Sequence, residues 1–194
     1  MSWAHLDAQM FGLSDKLSSE VGLPIELHGK LATAIAAEVR FLRGDAKREI
    51  LSASPVSVKA RLTELSAFQG WMDHAGKTAA SPFVVRAQVM TQNYVCFVYL
   101  PESCFRVLAK HMPAGSATKK CAQFLCNDRV RSFRNALAHA NWTYRDDFQA
   151  LIYWARKGST NLEPLTKFEV DNRELNFWQA LSRCVAYAAL SNLN

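Results

Sequence analysis

Residues 118–139 read TKKCAQFLCNDRVRSFRNALAH. Turned at about 100° per residue, Cys126, Val130, Phe133 and Leu137 fall within a sector of about 60°, a core-facing stripe. Asp128, Arg131, Asn135 and His139 fall on the far side, within about 80° by the same arithmetic. Arg134 lies between the two faces, and its long side chain can swing to either. The spacing predicts one amphipathic helix from about Thr118 to His139, and with it a helical domain.

Working outward, the flanks carry the same periodicity. Leu27, Leu31, Ile35, Val39 and Leu42 recur at spacings of three and four, predicting helix from Ile25 to about Leu51. Gly22 to Pro24 separates this from a short N-terminal helix. Ser54-Pro55 and Ser81-Pro82 each read as a helix start, with proline in the first turn. The first of these helices would run to about His74 and end near Gly76. The second runs from Phe83 to about Lys110. Its Tyr94–Leu100 portion has strand-like composition, but its length and flanks favour a long buried helix kinked near Pro101. Beyond Trp142 the pattern changes. Phe148–Ala155 and Leu165–Val170 read as a hairpin around Lys157-Gly-Ser-Thr-Asn. Asp171-Asn-Arg-Glu174 has capping-box form and starts a last helix with Trp178, Leu181, Val185 and Ala188 buried. The expected fold is mainly α: an antiparallel bundle of about five helices with a small β-hairpin before the last helix. It spans residues 1–194 as one domain, with 1–24 an N-terminal extension.

Composition narrows the function classes. Val95–Leu100, the longest apolar run, is too short for a membrane span. The N-terminal residues lack a basic n-region and an apolar h-region, so the expected location is cytoplasmic, with no membrane partner. The five cysteines (Cys96, Cys104, Cys121, Cys126, Cys184) show no metal spacing and read as reduced, mostly buried thiols. The formal net charge is +6, from 23 Lys and Arg against 17 Asp and Glu, which favours a polyanionic partner.

The polar face of the 118–139 helix carries residue types suited to phosphodiester chemistry. An imidazole moves protons near neutral pH, a guanidinium fork grips phosphate, and an amide orients. Arg134-Asn135-Ala-Leu-Ala-His139-Ala-Asn-Trp142 resembles the Arg-polar-xxx-His signature of the HEPN superfamily, which sits at the end of the penultimate bundle helix. The resemblance implies a metal-independent endoribonuclease, a toxin or defence effector, without cofactors. Its composite site would be built by a homodimer, and its products would carry 2′,3′-cyclic phosphate and 5′-hydroxyl ends. Arg134, Asn135 and His139 would be the catalytic set. Arg129, Arg131 and Arg145 would guide the RNA backbone or remain solvated. Trp142 would stack on a base or serve the core or an interface. Asp128 and Arg131 are spaced to pair across a dimer axis. A separate antitoxin or regulatory protein is a further expected partner. Two alternatives stand beside the nuclease: a non-catalytic dimer binding RNA or a nucleotide, and a helical interaction protein whose polar stripe is a solvated face.

Overall fold

The computed structural model describes residues 3–53, 60, 63, 64, 66, 67, 70, 81–156 and 164–193. The protein is mainly helical, with one small antiparallel sheet. The Ser54-Pro55 helix start and the helix end near His74 and Gly76 lie outside the described residues. Among the described residues the α-helices include α1 (Trp3–Phe11), α2 (Ser14–Lys16), α3 (Leu31–Val39), α4 (Gly44–Ser52), α5 (Pro82–Asn93), α6 (Arg106–His111), α7 (Ala117–Leu125), α8 (Asp128–Ala138) and α9 (Asn172–Leu190). The strands are β1 (Trp142–Tyr144), β2 (Ala150–Ala155) and β3 (Thr166–Asp171), in that spatial order.

The expected antiparallel bundle of about five helices is therefore corrected to a set of shorter, interrupted helices, for local reasons. The 25–51 stretch opens as a 3₁₀ helix at Ile25–Lys30, continues as α3, and breaks at Arg40–Arg43 before α4. The 118–139 helix divides at Cys126–Asn127. Asn127 takes extended dihedrals (φ −66°, ψ 168°), and its side chain accepts the Val130 N–H. That local bond competes with continuing the α7 ladder. From Pro82 to His111 the backbone stays helical, so Tyr94–Leu100 is not a strand. Tyr94–Tyr99 and Pro101–Phe105 widen into π-type turns. Pro101, which has no N–H to donate, stands at that second widening.

The two strands expected of a hairpin, β2 and β3, belong to a three-stranded sheet, and the expected Lys157-Gly-Ser-Thr-Asn turn between them lies outside the described residues. β2 and β3 pair antiparallel from Ala150↔Asp171 to Ala155↔Thr166. β1, unforeseen, pairs with β2 at Trp142↔Tyr153, Thr143↔Ile152 and Tyr144↔Leu151. β3 leads straight into α9. Asp171 caps that helix by accepting the Glu174 N–H at 2.7 Å. The return arm of a capping box is not made, because the Glu174 carboxylate instead receives Lys16 Nζ at 2.6 Å.

α9 is the axis of the core. Trp178, Leu181, Val185 and Ala188 are buried as expected, and so are Phe177, Cys184 and Ala186 on its other sides. α1, α3, α7 and the Tyr94–Tyr99 turn pack around it. Leu6, Met10 and Leu17 place the N-terminal residues inside this same core. Phe133 of α8 meets Phe97, Trp178 and Tyr153 at centroid distances of 5.5, 5.8 and 5.2 Å. These edge-on aromatic contacts tie α8 to the centre of the molecule immediately before Arg134.

Candidate functional site

α8 is held at both ends and along one side. At its start Asn127 Oδ1 accepts the Val130 N–H at 2.9 Å. Its inner face buries Val130, Phe133 and Ala136, with Leu137 half-buried against the same core. At its end the Asn141 N–H reaches Ala136 O at 2.8 Å and the Ala140 N–H reaches Leu137 O at 3.3 Å. These are the two bonds of a Schellman cap. Ala140 pays for it with φ +56°, in the left-handed region that favours glycine. The chain then turns directly into β1.

This end presents the expected catalytic set unevenly. Asn135 and His139 are exposed, one turn apart, and His139 is the residue that closes the helix. Arg134 turns away from them. Its Nη1 donates to Glu102 Oε1 at 2.8 Å, and only 21% of its side chain is exposed. The other carboxylate oxygen, Glu102 Oε2, accepts from Arg106 Nη1 at 2.5 Å. Arg106, Arg131 and Arg134 line one cleft, floored by Pro101, Cys126 and Val130. Burial pushes the Cys126 thiol up to about 11, against the pull of the neighbouring Arg106 and Arg134 charges.

The remaining sequence candidates are engaged within the chain. Arg131 pairs with Asp128 at 2.8 Å along the helix, the two residues expected to meet across a dimer axis. Arg129 forms an ion pair with the buried Glu174 at 3.0 Å, its guanidinium 5.3 Å from the Trp178 ring centroid. Arg145 bridges Asp147 at 2.7 Å and Glu169 at 2.5 Å. That guanidinium, with the Gln149 N–H, holds the Asp147 carboxyl down at about 2. Trp142 is half-buried in β1, edge-on to Tyr144 at 5.7 Å. The site thus brings Asn135 and His139 to one exposed end and Arg131 and Arg134 to the cleft. Arg129 and Arg145 are tied to other parts of the fold.

Glu102 and Arg106 were not singled out by sequence reasoning. Glu102 lies 32 residues from Arg134, and only the fold joins them. The Glu102–Arg106 spacing of four was the one available signal, and it is equally the signature of an ordinary helical surface pair. The cysteines are free, four of them buried and Cys126 partly so. Among the described residues, no group of three or more His, Cys, Asp and Glu side chains is arranged to hold a metal ion. No helix among them is long and apolar enough to cross a membrane. No protein-family model, curated protein or solved structure matches the chain.

Proposed function

We propose that the protein is a metal-independent endoribonuclease of the HEPN type, working in the cytoplasm as a two-fold homodimer in a toxin or defence role. A separate antitoxin or regulatory protein would control it. The observation that carries the reading is the exposed Asn135–His139 pair closing α8, beside a cleft lined by three arginines.

RNA supplies its own nucleophile. The 2′-oxygen bonds to phosphorus as the P–O5′ bond breaks, giving a 2′,3′-cyclic phosphate and a 5′-hydroxyl. His139 takes the 2′-OH proton or delivers one to the leaving 5′-oxygen, and His139 of a second copy serves the other role. Arg134, released from Glu102, stabilises charge on the phosphorane oxygens. Asn135 orients the imidazole or binds RNA.

The test is cleavage of a single-stranded RNA in a metal chelator. Wild type cuts; His139→Ala and Arg134→Ala lose about 100-fold or more, as expected for removing a proton-transfer group or a charge-stabilising donor. Asn135→Ala loses less. Wild-type rates from a folded His139→Ala protein would refute the assignment. A second reading, a non-catalytic dimer binding RNA or a nucleotide, draws support from the Glu102 ion pair that occupies Arg134. In that case the RNA binds and stays intact.

A further inference from the structure

We infer that Arg106 and Arg134, which line the cleft between the Pro101–Phe105 turn and α8, form a phosphate subsite for an RNA backbone, and that the Glu102 carboxylate takes the place of the phosphate in the free protein. The inference rests on the RNA reading above, and it adds the ligand chemistry of the cleft and a device that closes it. Three guanidinium groups line the cleft, from Arg106, Arg131 and Arg134. The Glu102 carboxylate sits between two of them, giving one oxygen to Arg134 at 2.8 Å and the other to Arg106 at 2.5 Å. Two oxygens of one anion shared between two guanidinium groups is the arrangement a phosphodiester makes with its two non-bridging oxygens. The carboxylate balances one of the three positive charges. Asp128, the partner of Arg131, is 90% exposed and neutralises that arginine weakly. The cleft therefore keeps an attraction for anions with Glu102 in place.

Glu102 is 42% exposed and Arg106 52%, so water screens that half of the bridge, while the Arg134 half, with Arg134 21% exposed, is the more sheltered contact that an incoming phosphate replaces. A ligand that reaches both the cleft and His139 is a chain of phosphates. Arg131 and His139 lie about 12 Å apart along the helix axis, at 1.5 Å per residue, farther than a single phosphate reaches. Glu102 swinging out frees Arg134 as the backbone enters, so substrate binding and assembly of the catalytic set become one event.

The probe is a fluorescein-labelled single-stranded DNA oligonucleotide, which lacks the 2′-hydroxyl and stays uncut, titrated with full-length protein and read by anisotropy. Glu102→Gln, which keeps the size and removes the charge, tightens binding about two- to five-fold, the worth of an exposed ion pair. Glu26→Gln, an equal charge change at an exposed position on the 3₁₀ turn, leaves the affinity within a factor of about two. Arg106→Ala weakens binding and lowers the log–log salt slope by about one. Inorganic phosphate displaces the oligonucleotide no better than chloride at equal ionic strength. Equal effects of the two Glu→Gln changes, or an unchanged salt slope in Arg106→Ala, overturn the subsite. Preferential displacement by phosphate overturns the RNA-backbone assignment in favour of free phosphate. The readout is independent of cleavage: an inactive wild type refutes the nuclease alone, and an active nuclease with unchanged Glu102→Gln affinity refutes the subsite alone.

Discussion

At the scale of single residues, Ala140 is where the site and the backbone meet. Its φ of +56° closes the motif helix and sends the chain into β1. A left-handed alanine costs about 1–2 kcal/mol, and glycine avoids that while adding about 0.5–1 kcal/mol of backbone entropy cost. Ala140→Gly is expected to stabilise the protein by about 0.5 kcal/mol, seen as a slightly raised denaturation midpoint. A lowered midpoint would show that the Ala140 methyl contributes contacts that outweigh its dihedral. The exposure of Asn135 and His139 was legible in the sequence, because helical spacing alone puts them opposite Phe133. The direction of Arg134 was not, since a boundary residue goes where its partner is, and Glu102 comes from a distant segment.

At the scale of elements, a side-chain cap explains the division of the expected 118–139 helix. The hydrophobic stripe runs across Cys126–Asn127 without a break, because Cys126, Val130 and Phe133 keep helical spacing on both sides. The stripe reports the face and stays silent about the cap. Asn127→Ala removes the side-chain bond to the Val130 N–H and is expected to cost about 1 kcal/mol of stability by chemical denaturation. A neutral result would mean that α7 and α8 can fuse into one helix at no cost. β1 escaped notice because three residues carry too little alternation to read. The turn between β1 and β2 has its own pH dependence. Arg145 and the Gln149 N–H depress the Asp147 carboxyl to about 2, so this contact is fully present above the ordinary carboxylate range. It is lost as the pH falls through about 2, and the Gln149 amide resonance should titrate there. Titration of that resonance near pH 4, the ordinary aspartate range of about 3.9, would contradict the Arg145–Asp147 contact.

At the scale of the whole molecule, one core built on α9 carries everything described. Its capping signal and buried stripe were readable because α9 is long and begins with a strong N-cap. That N-terminal residues Leu6, Met10 and Leu17 enter this core was not readable, since a Gly/Pro break looks the same before an extension and before a packed helix. The site itself is thin for a reaction needing both an acid and a base: one exposed imidazole per chain at the end of α8. A dyad doubles it without further residues, because an isologous contact joins the same patch of each copy. Asn135, Ala138, His139 and Ala140 are exposed where such a contact would form. Light scattering at micromolar concentration is expected to give twice the 21.8 kDa chain mass. A 21.8 kDa species that cuts RNA at full rate would eliminate the shared site.

The most direct measurement compares one RNA with its copy carrying 2′-O-methyl groups, each incubated in chelator with wild-type and with His139→Ala protein, and identifies the product ends. The account predicts cleavage of the unmodified RNA alone, by wild type alone, with 2′,3′-cyclic phosphate and 5′-hydroxyl ends. Cleavage of the methylated copy, 3′-hydroxyl ends, or an undiminished His139→Ala rate would contradict it.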